Sequence, residues 1–464
     1  MMALLQRSPG VGASAPEGNT VHLVAILRRL LALPAFRRLF AMRVLTQAAD
    51  GTLQVGMASY ILFSPQSQPD AWAIVTVLAI TLLPFSLLGP FVSILLDHWS
   101  RRQSAVVVDL IRAGIGVAIA VIVATGHRTT ASQTALYLLL LVALSLNRFL
   151  LAGLSAGMHH TVPRSEYLNA SAVMPMIGPA GVMVGGGIAA AIRLIGSHYM
   201  PTYRADAIIF CDASVIWVAS ALVALGFGRN ALGPDRTDRP IAPGQSVSEV
   251  ARGMVAAFGH LRRRPPALLG LVMIACQRFG FGLLSVAVML MYRNYFHGQA
   301  QVNSALLSFG AWGAATGLGF VLSAALVPPM TRWVGMSATA TLLLIATAVV
   351  QSAPGSILRP WALVISGFFI GWFAQSFKIC VDTLVQAHVD EDLKGRVFAL
   401  YDGIFNAAIV VAAVFGALVL PVTGASHPVF WGMSAGYAVL ALVFFLGSRR
   451  IGTHRFNEGT ELGV

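Results

Sequence analysis

Long apolar stretches recur along the whole chain, and each is about the length needed to cross a bilayer. A helix of about 20 apolar residues can span the hydrocarbon layer, because it satisfies its backbone hydrogen bonds internally. The pattern predicts twelve such spans, of which the ninth is the shortest. They lie at residues 38–63, 71–96, 104–125, 133–157, 170–195, 207–227, 267–291, 302–327, 336–352, 361–384, 397–421 and 428–447.

One long polar interruption separates the sixth span from the seventh. It predicts an N-terminal six-helix bundle at 37–228, a linker at 229–265 and a C-terminal bundle at 266–448, with tails at 1–36 and 449–464. Ser246 and Glu249 have the spacing of a capping box before an amphipathic repeat, so we expect a surface helix in the linker. A second amphipathic pattern, at 21–35, predicts a helix on the membrane surface before the first span.

The two sets of six spans share residues at a nearly constant offset. A shift of 230 positions, or 231 for the last pair, aligns Gln47 with Gln277, Gly89 with Gly319, Arg148 with Lys378, and Arg101 with Arg332. These matches fall in equivalent spans or loops and suggest two duplicated halves, an organisation common in transporters.

The composition supports a membrane protein. Of 464 residues, 57% are hydrophobic and 11% are charged, against about 45–50% and about 25% in soluble domains. The net charge of +13 could suggest nucleic acid. However, most Lys and Arg residues fall on the side that holds the termini, which is the positive-inside pattern. We therefore expect a protein of the plasma (inner) membrane with both termini cytoplasmic and with no nucleic-acid partner. The expected oligomeric state is a monomer.

The sequence offers no chemistry of its own to drive a reaction. The three cysteines lie in apolar spans without metal-ligand spacing, so no metal and no cofactor are predicted. A phosphate-binding loop needs a lysine that follows a glycine, and neither Lys378 nor Lys394 does. No convergent nucleophile and base stand out, so the chain is not expected to be an enzyme.

The segment "GPFVSILLDHWSRR" (89–102) identifies a family. Gly89, Pro90, Asp97, Arg101 and Arg102 match the G-P-x-x-G-x-x-x-D-R-x-x-R-R signature between helices 2 and 3 of the major facilitator superfamily, in the form seen in bacterial drug and siderophore exporters. The resemblance extends over nearly the whole chain. It implies an all-α membrane protein whose twelve transmembrane helices form two pseudo-symmetric six-helix bundles.

The resemblance also implies a gate. In the family, the aspartate of this loop meets the start of helix 11 and holds the halves together, which makes Asp97 a gate residue here. The signature is incomplete, since Ser93 replaces a glycine and His98 an arginine, and the "LVPPMTRW" loop of the second half lacks the aspartate. The expected gating or structural charge network comprises Asp97, Arg101, Arg102, Asp109, Arg112, Arg396 and Asp402.

A glycine-rich run in the fifth span, Gly178 to Gly187, resembles the motif of antiporters without its spacing. It favours either a pliable helix for a rocking motion or close helix packing.

Ionisable residues inside spans are candidates for function, because a charge at the bilayer centre costs at least about 2.5–3.5 kcal/mol. The resemblance places spans 1, 4, 7 and 10 around a central cavity. The predicted substrate-cavity residues on these spans are Asp50, Arg148, Arg278, Lys378 and Asp382.

Asp50 is the predicted proton-coupling residue, because a low-dielectric cavity favours the neutral form of a carboxyl group. The alternative is a permanent salt bridge between Asp50 and Arg112 or Arg148. Arg148 and Lys378 could hold an anionic group of the substrate. Alternatively, Asp109 neutralises Arg148, and Asp382 neutralises Lys378 from one helical turn away.

These observations predict a secondary active transporter that exports a small amphipathic molecule by alternating access, with proton antiport through Asp50. Its partners would be the small-molecule substrate, protons and membrane lipids. Uptake or the flipping of a lipid or lysolipid on the same fold is the main alternative, and a non-transporting membrane sensor is a further one.

Overall fold

The computed structural model describes residues 26–63, 71–88, 100–127, 129–163, 166–228, 231–232, 243–298 and 301–457. Twelve long helices cover most of these residues, which include no strand. We number them α1 Pro34–Met57, α2 Ala71–Leu88, α3 Arg101–Ala124, α4 Thr130–Gly157, α5 Tyr167–Tyr199, α6 Thr202–Leu225, α7 Pro265–Leu290, α8 Val302–Val334, α9 Met336–Ser356, α10 Pro360–His388, α11 Glu391–Val419 and α12 His427–Ile451.

Each helix falls on one of the twelve predicted spans. Ten of them are long and apolar enough to cross a membrane. The other two are α1, whose Arg37, Arg38, Arg43 and Asp50 lower its hydropathy, and α2, which is described only as far as Leu88. The chain is therefore a multi-pass membrane protein, as the pattern of apolar stretches predicted.

The loop predicted directly after span 8 is wrong. The "LVPPMTRW" segment, expected as a loop, continues α8 through Pro328 and Pro329 as far as Val334. The hydrophobic stretch ends at the edge of the hydrocarbon layer, but a helix can continue where water or headgroups satisfy its last carbonyls. The helix stops at Gly335, whose φ of 82° is a conformation that favours glycine.

Helix pairing is the same in the two halves. In the first half α1 packs on α5, α2 on α4 and α3 on α6, and in the second α7 packs on α11, α8 on α10 and α9 on α12. Each pair in the second half is thus the first-half pair shifted by six helices, so the fold consists of two pseudo-symmetric six-helix bundles.

The glycine run of α5 packs directly against α1. A Cβ atom at Gly185 would overlap the backbone of Ala48, and one at Gly51 would overlap the backbone of Val182, whereas Gly187 faces open space. Small residues let two helix backbones approach closely. The contacts support the packing role for this run.

The linker helix spans Pro243–Arg263. It begins before Ser246, so the predicted capping box is wrong, because that residue lies inside the first turn rather than at the N-cap. Ala257 and Leu261 are fully buried against the C-terminal half, as the amphipathic repeat predicted. Before α1, residues 26–32 are helical with Leu30 buried; 21–25 of the predicted surface helix lie outside the described residues.

The bundle has two ends. We call the end that holds the start of α1 and the end of α12 the termini end, and the opposite one the far end. At the far end one apolar cluster contains residues of both halves, including Tyr60 and Phe63 of the first and Leu290 and Val302 of the second. The rings of Phe63 and Phe309 lie 5.8 Å apart across this boundary. These contacts close the far end.

Candidate functional site

Three charged residues of the first half lie together and are completely enclosed: Asp50 on α1 and Asp109 and Arg112 on α3. We call them the N-half charge cluster. The Arg112 guanidinium forms an ion pair with Asp50 and lies 3.4 Å from Oδ1 of Asp109. Thr46 accepts a hydrogen bond from Arg112 and donates one to Asp109, both at 3.1 Å. The cluster therefore joins α1 to α3 in the absence of solvent.

In this cluster two carboxylates face one guanidinium. Buried charges are tolerated when they are paired and hydrogen-bonded, and here one negative charge exceeds what Arg112 can neutralise. Gln47 donates a hydrogen bond to Asp50 at 3.4 Å, and the ring of Trp217 lies 4.4 Å from the guanidinium carbon. Asp50 thus has the salt bridge to Arg112 that the sequence left open as an alternative, and its side chain has no exposed surface.

Another ion pair, outside the N-half charge cluster, connects the two halves. Nη2 of Arg148 on α4 lies 3.6 Å from Oδ2 of Asp402 on α11, with 25% of the arginine side chain and 48% of the aspartate side chain exposed. We call this pair the inter-half bridge. The predicted neutralisation of Arg148 by Asp109 is wrong, because Asp109 is buried against Arg112 inside the first half.

The second half contains the predicted local pair. Nζ of Lys378 lies 2.6 Å from Oδ2 of Asp382 one turn later on α10, which confirms the i,i+4 arrangement. Nζ of Lys378 also lies 5.7 Å from the centre of the Phe405 ring. The guanidinium carbon of Arg278 lies 4.2 Å from the centre of the same ring. Arg278 is only 3% exposed.

The predicted gating network is only partly assembled. Arg102 donates a hydrogen bond to the carbonyl of Leu225 at the end of α6, and Arg101 donates one to the carbonyl of Leu232. Arg396 instead lies against the linker helix, next to Gly253. Asp402 belongs to the inter-half bridge, and no ion pair among the described residues joins it to Arg396. Asp97 lies outside the described residues.

A buried ion pair at the far end was not predicted from the sequence. Arg193 is fully buried within α5, and its Nη1 lies 2.7 Å from Oδ2 of Asp206 on α6. Arg193 also donates hydrogen bonds to the carbonyls of Thr202 and Phe63. A signal was present, since opposite charges lie at the end of one predicted span and just before the start of the next.

Asp212 lies deeper than expected. The predicted span at 207–227 would put it near the start of the sixth helix, but α6 begins at Thr202 and Asp212 comes ten residues later. Its Oδ2 is buried and has no hydrogen-bond partner among the described residues.

A cavity of about 900 Å³ lies between α7, α11 and α12. Its lining is almost entirely apolar and includes Phe279, Val411, Phe415, Gly432 and Gly436. We call it the lateral groove. None of the five predicted substrate-cavity residues lines it, so it is a separate feature from the charged groups between the halves. Nor do the described residues hold a cluster of three or more His, Cys, Asp or Glu side chains suited to a metal ion.

Comparisons with known proteins agree with this architecture. No family model matches the chain. Among solved structures, a nucleoside transporter (NupG) matches with a TM-score of 0.63 at 13% identity, covering 89% of this chain and 99% of that one. A D-xylose–proton symporter matches with the same TM-score and identity, covering 95% and 99%. These likenesses show the fold.

Sequence relatives show the family. The chain is 34% identical over 430 residues to uncharacterised MFS-type transporters of Mycobacterium bovis and Mycobacterium tuberculosis, covering 92% of this chain and 94% of each relative. These relatives are named as transporters and not as enzymes. With this similarity over nearly its full length and with two matching six-helix bundles, the chain belongs to the major facilitator superfamily of membrane transporters for small molecules.

Proposed function

We propose that this protein is a secondary active transporter that exports a small amphipathic molecule by alternating access, and that protons move inward through the N-half charge cluster in exchange. The observation that carries the proposal is the charge imbalance of that cluster, where Asp50 and Asp109 share Arg112 in a fully enclosed space. A proton on one carboxyl group would restore neutrality, and the release of that proton requires a change of surroundings.

The position of the cluster suits a coupling role. Asp50 lies 16 residues from the start of α1, and at about 1.5 Å per residue this is about 24 Å from the termini end. A proton held there can reach either side only if the surrounding helices move. Asp50 remains the proposed coupling residue, and Asp109 is the second carboxyl group of the same site.

The contacts between the halves support alternating access. Apolar packing closes the far end, while the inter-half bridge and the Lys378–Asp382 pair keep a quarter to a half of their side chains exposed. Water and a ligand would therefore reach these residues from the termini end. A state open to the far end requires separation of the Phe63 and Phe309 rings and closure around the bridge.

The distribution of charge supports an orientation with the termini end in the cytoplasm of a bacterial-type inner membrane. Exposed arginines are concentrated at the termini end, before α1, in the linker helix and at the end of α12. This is the positive-inside pattern. Asp97, Arg101 and Arg102 would form the gate at that end, where Arg102 binds the last carbonyl of α6 and Arg38 binds the carbonyl of the next residue, Gly226.

Transport into inverted membrane vesicles tests the proposal. The probes are ethidium, 1-naphthoate and 1-naphthamide, which are a cation, an anion and a neutral molecule with similar flat bodies. With the termini end outward, we expect accumulation of at least one probe under an imposed pH gradient, and loss of accumulation when nigericin collapses that gradient. Vesicles without the protein provide the background.

Two variants separate coupling from transport itself. Asp50→Asn should abolish gradient-driven accumulation while probe exchange across the membrane continues. Asp212→Asn, which also removes an intramembrane carboxylate but lies outside the N-half charge cluster, should accumulate the probe like the parent. Parent-like accumulation by Asp50→Asn would refute coupling through this residue, and absence of flux for every probe would refute the transporter assignment for amphipathic molecules.

Lipid flipping is the second candidate, and the lateral groove is the observation that favours it. An apolar recess between α11 and α12 could accept an acyl chain directly from the bilayer. Proteoliposomes with a fluorescent lysophosphatidylcholine in one leaflet distinguish the two functions. Protein-dependent transfer that disappears on filling the groove with Gly436→Leu, a position where an added Cβ meets no atom within 4 Å, would favour the flippase.

A further inference from the structure

We propose that the substrate is an organic anion with a flat aromatic body, and that Arg278, held against Phe405 in the second half, pairs with its anionic group. The inference rests on the proposed transport function and names the chemical class of the cargo. It follows from one juxtaposition, in which a buried guanidinium without a carboxylate lies among half-buried aromatic rings beside the inter-half charges.

Arg278 is a buried cation that the protein leaves unsatisfied. It lies at the middle of α7, is 3% exposed, and forms no hydrogen bond or salt bridge with any described residue. The rings of Phe405 and Phe281 lie against it, with guanidinium carbon to ring centre distances of 4.2 and 5.5 Å, and the phenol groups of Tyr401 and Tyr437 interact with it electrostatically. An aromatic ring attracts a cation more weakly than a carboxylate does. A ring also cannot accept the N–H hydrogen bonds that a carboxylate accepts from a guanidinium in its own plane.

The nearby carboxylates already have partners. Asp382 acts electrostatically on Arg278 but forms a 2.6 Å ion pair with Lys378. Asp402 pairs with Arg148. Three cations therefore share two carboxylates among the described residues around the inter-half bridge, and Arg278 is the cation left over. An anionic ligand of charge −1 would complete the set.

The surroundings of Arg278 suit a flat ligand. Phe405 on α11 lies within 6 Å of both Arg278 and Lys378. Phe281 on α7 and Phe320 on α8 have ring centres 6.0 Å apart, and all three rings keep part of their surface accessible. An aromatic body can stack against such rings, while its carboxylate or phosphate replaces Phe405 over the guanidinium. A cationic molecule at the same place would face uncompensated positive charge, so charge also provides selectivity.

The test measures binding to the detergent-purified full chain, by thermal shift and isothermal calorimetry. The probes are 1-naphthoate and two molecules with the same ring system, neutral 1-naphthamide and cationic 1-naphthylmethylammonium. We expect 1-naphthoate to raise the melting temperature in a concentration-dependent way with one site per chain. The neutral and cationic probes should bind at least about ten-fold more weakly, because they cannot form the charge-assisted pair.

Variants assign the effect to Arg278. Arg278→Gln should weaken 1-naphthoate binding about ten-fold or more without loss of folding, since it removes a buried charge that has no protein partner. Arg278→Lys should retain part of the affinity, and Phe405→Leu should weaken it less than Arg278→Gln. Arg332→Gln, at an exposed arginine in the last turn of α8, is the matched control and should bind like the parent.

The outcomes separate this inference from the transporter assignment. Equal affinity for 1-naphthoate and 1-naphthamide, or parent-like binding of 1-naphthoate by Arg278→Gln, would overturn the anion site. Gradient-driven uptake of ethidium without any binding of 1-naphthoate would retain the transporter and also overturn the anion site. Binding of 1-naphthoate that depends on Arg278, without flux of any probe, would support the site and refute transport.

Discussion

The two halves have the same helix pairing but opposite charge imbalances. In the first half two carboxylates share Arg112, whereas in the second Lys378 pairs with Asp382 and Arg278 lies against an aromatic ring without a carboxylate of its own. With the offset of 230, the position of Arg278 in the second half corresponds to an alanine in the first, residue 48, and the position of Asp50 corresponds to a glycine, residue 280. The scaffold is repeated while these two charges are not. We infer that one half is adapted to hold a proton and the other to hold an anion.

The largest expected effect comes from removal of the shared cation in the first half. Arg112→Gln leaves Asp50 and Asp109 buried together without a positive partner, and loss of one member of a buried pair costs about 3–5 kcal/mol. The melting temperature in detergent should fall accordingly. Arg278→Gln, the corresponding removal in the second half, should cost far less because no carboxylate depends on it. Equal losses for the two variants would contradict the charge difference between the halves.

An intermediate effect is expected from the close contact between α1 and α5. Gly185→Leu places a side chain where the backbone of Ala48 lies, so the helices must separate, and overpacking of this kind costs about 1–3 kcal/mol. Gly187→Leu, two residues later and facing open space, is the matched control and should melt like the parent. Thermal unfolding in the same detergent measures both, and equal melting temperatures would show that the α1–α5 contact does not limit stability.

The smallest effect on stability is expected at the inter-half bridge. Arg148→Gln and Asp402→Asn break a partly exposed pair, for which a double-mutant cycle should give a coupling of about 0.2–1 kcal/mol. Because the bridge joins the halves, its loss should mainly shift their equilibrium toward separation at the termini end. A cysteine introduced beside residue 402 should react faster with a thiol reagent in these variants than in the parent. An unchanged labelling rate would show that the bridge does not hold the halves together.

Much of the fold could be predicted from the sequence. Apolar length alone located all twelve helices, since the requirement for internal hydrogen bonding in hydrocarbon leaves few alternatives. The Lys378–Asp382 pair was also predictable, because partners one turn apart on a single helix meet regardless of how that helix packs.

Pairs between helices were harder to predict. The spans are apolar all round, so the sequence gives little information on how each helix is rotated about its axis. For this reason the sequence did not indicate that the partner of Arg148 lies on α11 of the other half, and the alternative given for it, on α3, was wrong. The ends of helices were a second difficulty, because α6 begins before its predicted span and so brings Asp206 into the helix, where it pairs with Arg193 of α5.

The far-end closure has an optical consequence. Trp312 is 5% exposed, and its ring stacks on Phe309 at 5.6 Å, the same phenylalanine that meets Phe63 of the other half. Separation of the halves there would admit water to the indole and shift its fluorescence to longer wavelength. The protein thus has its own spectroscopic reporter of the far end, which comparison with Trp312→Phe would isolate from the emission of the other tryptophans.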